Sequence, residues 1–182
     1  MSSFFRCQWL VAEDGYQIKT ISAVEGGSLL GGATHERRVI RPVSGKMRVY
    51  DPMRPPPEGE PLLFRTFADL REIDEDILAF ANRFGMLTGE IEEDIETWFA
   101  CIRGMWHQME LVEAGAYKSA DWSQSVGVME ANTRNTVGLV LVDEDDGMAL
   151  NANLSTLWAA LWAQLGLWIS NPDMNQKMCG VC

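Results

Sequence analysis

The pattern of the chain changes at the stretch Asp51-Pro52-Met53-Arg54-Pro55-Pro56-Pro57-Glu58-Gly59. Proline has no amide hydrogen to donate, so three consecutive prolines cannot continue a sheet or the interior of a helix. Short β-prone segments precede this stretch, and helical patterns follow it. We therefore predict an α+β protein, with an antiparallel β-rich part over residues 1–50, an extended connector over 51–63 and a helical domain over 64–176.

The β-rich part contains four short segments rich in β-branched and aromatic residues, at 5–11, 16–24, 38–43 and 46–50. Turn-forming residues at Glu13-Asp14-Gly15 predict a hairpin between the first two segments. Ser44-Gly45 predicts a second hairpin between the last two. The glycine pairs at 26–27 and 31–32 predict a flexible connection between these hairpins.

Apolar residues after the connector recur at steps of three and four, which is the period of an α-helix. The first helical pattern runs over residues 67–84 with Thr66 as a candidate N-cap, unless Asp74 begins a separate helix after a turn. The clearest helical pattern runs over residues 91–112 and has acidic residues in its first turn. Gly104 lies inside this pattern and favours a close crossing with another helix.

The remaining residues predict one hairpin and one more helix. Residues 116–135 are compatible with a helix, and residues 137–150 predict a β-hairpin with an acidic turn. The last helix begins near Asn153 or Ser155 and ends before Pro172, which completes a bundle of three or four helices.

The tryptophans of the last helix, Trp158, Trp162 and Trp168, predict a broad apolar surface. We expect this surface to pack into the core, with a groove for a partner or a ligand as the alternative. The expected core residues of the helical domain are Ile95, Trp98, Ile102, Met105, Leu157, Leu161 and Leu165.

The chain is acidic, with a formal net charge of −11 over 182 residues. Residues 1–66 carry nine Lys and Arg against seven Asp and Glu, whereas residues 67–182 carry six against nineteen. Nucleic-acid binding depends on cations that neutralise phosphates, so we do not expect it through this fragment. No apolar run is long enough to span a membrane, and the N-terminus lacks the pattern of a signal peptide, which predicts a cytoplasmic protein.

The strongest chemical motif is Cys179-Gly180-Val181-Cys182, in the segment 177–182. Two thiolates at this spacing bind one tetrahedral metal ion and form half of a structural zinc site. The other cysteines, Cys7 and Cys101, form no second Cys-x-x-Cys. We therefore predict zinc as the cofactor and Cys179 and Cys182 as its ligands. Three interpretations stay open: a truncated zinc ribbon or knuckle, a zinc ion or disulfide shared by two chains, and an inert tail.

Acidic residues offer a different chemistry. Glu92, Glu93 and Asp94 could form the metal or acid–base site of a small enzyme, although a solvated helix face is the more common role of such a cluster. His35 and His107 lie in different segments, and no nucleophile motif accompanies them. We therefore predict no catalytic residue.

Three motifs of the helical part carry a resemblance: Phe64-Arg65-x-Phe67-Ala68-x-Leu70, Ile77-Leu78-Ala79-Phe80-Ala81-Asn82-Arg83-Phe84-Gly85-x-Leu87 and Leu154-x-x-Leu157-Trp158-x-x-Leu161-Trp162-x-Gln164-Leu165. With the terminal Cys-x-x-Cys, they make residues 64–182 resemble uncharacterised bacterial proteins in which a helical domain precedes a zinc-binding segment. The chain is similar in outline to stress-related regulators that carry a CGNR-type zinc finger after a helical, sensor-like domain.

The resemblance implies a sensor or interaction domain of a zinc-containing transcriptional regulator, with a small-molecule ligand or a second copy of the chain as partner. The second cysteine pair and the basic residues of such a regulator do not occur before Cys182, so we expect a chain truncated before its nucleic-acid-binding module. The alternatives are a small metal-dependent enzyme that uses the acidic helix residues and a structural dimerisation protein.

Overall fold

The computed structural model of the chain describes residues 5–24, 34–54, 56–57, 59–114, 137–144 and 147–170. The strands in these ranges are β1 (Phe5–Arg6), β2 (Trp9–Ala12), β3 (Tyr16–Val24), β4 (Thr34–Pro42), β5 (Met47–Tyr50), β6 (Glu93–Asp94), β7 (Val137–Glu144) and β8 (Gly147–Leu154). The helices in these ranges are α1 (Leu63–Ala68), α2 (Asp74–Phe84), α3 (Ile95–Glu113) and α4 (Leu157–Ser170). The predicted α+β class with an N-terminal antiparallel β part is confirmed. The helix predicted at 116–135 lies outside the described residues.

One long antiparallel ribbon forms the N-terminal part. Strand β2 pairs with β5, and β3 pairs with β4, so Trp9 lies opposite Tyr50 at one end of the ribbon and Val24 lies opposite Thr34 at the other. The two hairpins predicted at residues 13–15 and 44–45 are therefore wrong. The strands that flank each of these turns do not pair with each other but with strands beyond the glycine-rich connection.

The turn residues instead form an irregularity in the middle of the ribbon. The Glu13 amide donates to the Lys46 carbonyl at 2.9 Å, and the Val43 amide donates to the Gly15 carbonyl at 2.9 Å, so the two turns lie side by side. Gly15 has a φ of +81°, which favours glycine. The strand pairing shifts by one residue here, as at a β-bulge.

An added strand and a further sheet complete the β structure of the described residues. Strand β6 extends the ribbon by pairing with β4, with Glu93 opposite Ile40. Strands β7 and β8 form the antiparallel hairpin predicted for residues 137–150, which extends to Leu154. Strand β1 adds to this hairpin in parallel, with Phe5 opposite Ala152.

The first helical pattern consists of two helices, so the prediction that Asp74 begins a separate helix is confirmed. Thr66 is not an N-cap, because α1 already begins at Leu63 and the Thr66 hydroxyl donates back to the Leu62 carbonyl at 3.4 Å. The preceding Leu63 and Phe64 are buried, and their burial extends the helix toward the connector.

Helix α3 begins later than its apolar pattern indicates. Ile91 is 88% exposed, and the helix begins at Ile95. The Asp94 side chain accepts a hydrogen bond from the Glu96 amide at 2.9 Å and so caps the helix. Ile91 falls on the helical period by coincidence, since residues 91–92 form a bend and residues 93–94 form strand β6.

A single hydrophobic core joins the ribbon and the helices. The seven predicted core residues are all buried, and the most exposed of them, Ile102, is 3% exposed. The same cluster contains Val11 and Ile40 from the ribbon. Helix α1 contacts α3 and α4, whereas α2 contacts β2 and β3. Trp162 and Trp168 are buried, as the core interpretation predicts. Among the described helices, none is long and apolar enough to cross a membrane.

The loop of residues 85–89 follows α2 and packs under the Trp9 indole. Gly85 and Gly89 have φ values of +97° and +79°. A Cβ atom would lie 2.7 Å from the Trp9 ring nitrogen at Gly85 and 2.8 Å from the Trp9 Cη2 atom at Gly89. That ring nitrogen donates to the Met86 carbonyl at 2.9 Å. Glycine is therefore required at both ends of this loop.

Gly104 is different, because no described atom lies within 4 Å of a Cβ atom added there. The predicted close helix crossing at Gly104 is therefore wrong. The residue lies in the interior of α3, where a glycine costs about 1 kcal/mol relative to alanine.

Two alanine substitutions test these different roles of glycine. We expect Gly85→Ala to lower the free energy of unfolding by about 3 kcal/mol, because it strains the backbone and displaces the Trp9 ring. We expect Gly104→Ala to raise it by about 1 kcal/mol. Urea denaturation of both variants and the parent measures the effects, and a Gly85→Ala protein as stable as the parent would contradict the packing of Trp9 on this loop.

Candidate functional site

A cleft of about 450 Å³ lies where the ribbon, the connector and the helices meet. Its walls come from the end of β5, the connector, the start of α1, the last turn of α2 and one side chain of α4. Small-molecule sites in proteins have volumes of roughly 300–1,000 Å³, so a metabolite fits in this space.

The connector forms one wall of the cleft. Its first turn is closed by Asp51, whose side chain accepts from the Met53 amide at 3.0 Å and whose carbonyl accepts from the Arg54 amide at 3.2 Å. A second turn is closed by the Glu60 amide, which donates to the Pro57 carbonyl at 3.0 Å. The connector therefore folds back in two turns, whereas its prolines alone predict an extended segment.

Gln164 anchors this wall to the helices. The side chain is 6% exposed, its Oε1 atom accepts from the Phe64 amide at 3.2 Å, and its Nε2 atom donates to the Pro52 carbonyl at 2.6 Å. Both ends of the buried amide group are thus hydrogen-bonded. One side chain of α4 fixes the start of α1 and the connector relative to each other.

Three arginines line the cleft: Arg48 from β5, Arg54 from the connector and Arg83 from α2. The Arg48 guanidinium donates to the Arg83 carbonyl at 2.8 Å, near the C-terminal end of α2, where a cation is favourable. The Arg83 guanidinium lies 4.8 Å from the centroid of the Phe84 ring and forms an ion pair with Glu60. Within the described ranges, neither Arg48 nor Arg54 forms an ion pair.

Tyr50 adds an aromatic wall and a hydroxyl group. Its ring centroid lies 5.7 Å from that of Phe84. Burial raises the pKa of the Tyr50 hydroxyl above its ordinary value, with the Arg83 guanidinium opposing this change and the Asp51 carboxylate adding to it. The hydroxyl is therefore protonated at neutral pH and available as a hydrogen-bond donor. Guanidinium groups beside an aromatic wall suit a small organic anion.

The acidic residues considered for an enzyme site do not point to a common centre. Glu92 forms an ion pair with Arg37 at 2.8 Å, and Asp94 caps α3. Glu93 is 5% exposed and lies on β6, not in the first turn of a helix. Each of the three carboxylates has a separate structural role.

Glu93 accepts hydrogen bonds from five donors. Its Oε2 atom accepts from the Leu87 amide at 3.0 Å and from the Trp98 ring nitrogen at 2.8 Å. Its Oε1 atom accepts from the Thr88 amide at 2.5 Å, the Thr88 hydroxyl at 2.7 Å and the Gly89 amide at 3.2 Å. These contacts use the acceptor sites of the carboxylate, so the side chain holds the 85–89 loop.

The described cysteines are free thiols, of which Cys7 is buried and Cys101 is partly buried. Burial, with the Asp51 carboxylate, raises the pKa of Cys7 to about 12, and its Sγ atom donates to the Leu154 carbonyl at 3.4 Å. Burial, with the Glu93 carboxylate, raises the pKa of Cys101 to about 11. A thiol must lose its proton to bind a metal ion, so neither residue is suited to do so at neutral pH.

The predicted zinc ligands Cys179 and Cys182 lie outside the described residues, and so does the side chain of His35. His107 is an exposed residue of α3. In the part of the chain that the structure describes, no three His, Cys, Asp or Glu side chains converge on a possible metal position.

A second depression, of about 490 Å³, lies between α3 and α4. Ala100, Cys101 and Gly104 line one side, and Trp158 and Trp162 line the other. It is largely apolar and lacks the cations of the arginine-lined cleft. The interpretation of the tryptophan surface as a groove thus applies to this side of α4 alone.

Sequence patterns did not identify the cleft. Arg83 and Gln164 occur in the motifs that carry the resemblance, but neither spacing nor composition predicts that they share a cavity with Arg48. The three residues come from a strand and two helices, so only the tertiary fold brings them together.

Comparisons with protein-family models, curated proteins and solved structures found no match for this chain.

A comparison of Glu93 with Glu92 tests whether the buried Glu93 carboxylate stabilises the fold by holding the 85–89 loop. We expect Glu93→Gln to lower the free energy of unfolding by about 3 kcal/mol, because an amide nitrogen replaces one acceptor and faces buried donors. Glu92→Gln removes the same charge from a partly exposed ion pair and should cost less than about 1 kcal/mol. Thermal and urea unfolding measure both. Equal losses in the two variants would contradict the role assigned to the buried carboxylate.

Proposed function

We propose that this domain binds a small organic anion in the arginine-lined cleft and acts as the sensor domain of a zinc-containing regulator. The observation that carries the proposal is the convergence of Arg48, Arg54 and Arg83 on one cleft of about 450 Å³. The three residues come from three different segments of a chain whose net charge is −11. Three guanidinium groups outnumber the two carboxylates, Asp51 and Glu60, that also line the cleft, so the cleft attracts an anion although the whole chain is acidic.

Two of the arginines are held in place before a ligand arrives. Arg48 is held by its hydrogen bond to the Arg83 carbonyl, and the Arg83 guanidinium is held against the Phe84 ring. Ordering long side chains costs about 0.5–1.5 kcal/mol each on binding, and a site held in advance avoids part of this cost. Guanidinium groups also bind carboxylates and phosphates through two parallel hydrogen bonds.

The position of the cleft supports a sensing role. A ligand in it contacts the ribbon, the connector and α2 at once, and Gln164 on α4 already joins the connector to the start of α1. A ligand that binds only this arrangement stabilises it by mass action. Helix α4, which carries Gln164, precedes the predicted zinc segment at 177–182 in the sequence. We propose that ligand binding in the cleft acts on that segment through this helix.

Zinc binding and transcriptional regulation enter the proposal from the sequence. The Cys179 and Cys182 pair has the spacing of half a zinc site, and the motifs of the helical part resemble those of zinc-containing regulators. We do not propose the metal-dependent enzyme, because Glu92, Glu93 and Asp94 are each engaged in separate contacts.

Anion binding can be tested with acetate, benzoate, citrate and inorganic phosphate as probes, by titration of backbone amide resonances. We expect at least one probe to shift resonances of the connector and of the Gln164 side chain. Arg83→Gln should weaken that binding about tenfold, since it removes a charge-assisted hydrogen bond worth roughly 1.5–3 kcal/mol.

The matched control for this substitution is Arg103→Gln. Arg103 forms an ion pair with Glu72, and the exposed fractions of these side chains, 58% and 37%, resemble the 55% and 40% of Arg83 and Glu60. We expect Arg103→Gln to leave probe binding unchanged. Absence of binding by all four probes, or equal losses in the two variants, would refute the cleft as the binding site.

Zinc binding has a separate test. We expect the 182-residue chain to bind one zinc ion per two copies, with each copy supplying Cys179 and Cys182, as the tetrahedral preference of zinc requires. Elemental analysis and sedimentation before and after chelation measure the ratio and the association. The Cys179→Ser, Cys182→Ser double variant should lose the metal, whereas Cys101→Ala should retain it. A zinc-free parent protein would contradict the prediction.

A further inference from the structure

We infer that the Glu60 carboxylate occupies the place of the ligand on Arg83, and that a ligand carboxylate displaces it. This inference rests on the proposed function, because it concerns the same cleft. It goes further by naming the ligand class, an organic carboxylate with an apolar body, and by assigning to the connector an internal competitor for the site.

The first observation is the pairing itself. Glu60 and Arg83 both line the cleft, one on the connector wall and the other on α2, and their side chains form an ion pair across it. The Glu60 side chain is 40% exposed and that of Arg83 is 55% exposed, so solvent and a ligand reach both groups. The guanidinium of this cleft thus already binds a carboxylate.

The second observation is the backbone turn that positions Glu60. It follows Gly59, whose φ of +84° forms a tight turn, and its amide donates to the Pro57 carbonyl at 3.0 Å. The other end of the connector is held independently by the hydrogen bond from Gln164 to the Pro52 carbonyl. Loss of the Glu60 contact therefore releases the turn at residues 57–60, while Gln164 still anchors the chain on either side of it, at Pro52 and at Phe64.

The walls of the cleft define the rest of the ligand. Phe84, Tyr50 and Leu63 present aromatic and aliphatic surface beside the guanidinium groups. A carboxylate with an aromatic or branched aliphatic body matches this combination, because its charged end replaces Glu60 and its body packs on the wall. A neutral analogue of the same shape has no negative charge with which to displace the Glu60 carboxylate from Arg83.

Removal of the competitor should strengthen ligand binding. Benzoate serves as the probe and benzamide as its neutral analogue, with dissociation constants measured by titration of amide resonances. We expect Glu60→Gln to bind benzoate roughly two- to fivefold more tightly than the parent, a factor that corresponds to the strength of a partly exposed ion pair. We expect benzamide binding to be unchanged.

Glu113→Gln is the matched control, because Glu113 forms an ion pair with Arg65 at 3.3 Å and the substitution changes the net charge equally. It should leave benzoate affinity as in the parent. Tighter benzoate binding by Glu60→Gln alone supports the competition. If Arg83→Gln weakens benzoate binding but Glu60→Gln binds no better than Glu113→Gln, the competition is refuted and the proposed site stands. If Arg83→Gln and the parent bind benzoate equally, both are refuted. If neither binds benzoate, the competition is refuted, and acetate, citrate and phosphate decide the proposed site.

Discussion

The carboxylate of Glu93 is the interaction on which the rest of the structure depends. It is buried at the edge of the ribbon, where β6 pairs with β4, and it receives hydrogen bonds from the 85–89 loop and from Trp98. The loop that it holds contacts Trp9 on the ribbon through the Met86 carbonyl and the start of α4 through the Leu87 carbonyl, which accepts from the Trp158 amide at 3.0 Å. One acidic side chain thus connects the ribbon, α3 and α4.

This arrangement is costly unless it is complete. A buried carboxylate loses its hydration, and only a full set of donors offsets that loss. Loop residues 87–89 supply the backbone donors because Gly85 and Gly89 adopt positive φ values beneath the Trp9 ring. Gly85, Gly89, Trp9 and Glu93 therefore depend on one another. A change in any of them leaves buried polar groups without hydrogen-bond partners.

The sequence predicted those features that depend on local periodicity. The seven core residues of α3 and α4 follow the helical repeat, and all of them are buried, because the face of an amphipathic helix is encoded by spacing alone. Strand pairing in the ribbon was not predictable in this way. The residues at 13–15 have the composition of a reversing turn, yet they form a bulge, since the partner of a strand is decided by contacts distant in sequence.

Glu93 was misassigned for a related reason. Its neighbours Glu92 and Asp94 made it part of an acidic run at the start of a helical pattern, where carboxylates usually face solvent and the helix dipole. Three of its five donors are backbone amides four to six residues earlier, and backbone donors leave no mark in the amino-acid sequence. The cleft escaped prediction because Arg48, Arg83 and Gln164 are separated along the chain and meet only in the folded protein.

The loop held by Glu93 and the arginine-lined cleft are connected at the end of α2. Arg83 and Phe84 are the last residues of that helix, and Gly85, the first residue of the loop, closes it by donating to the Ala81 carbonyl at 2.8 Å. The loop held by Glu93 therefore fixes where α2 ends, and this end places the Arg83 guanidinium in the cleft. The supporting carboxylate of Glu93 is buried and hydrogen-bonded, whereas the Glu60 carboxylate on Arg83 is partly exposed and is the contact that we propose a ligand displaces. Such a division is expected of a binding domain, since a site responds to its ligand only when exchangeable contacts are supported by contacts that do not exchange.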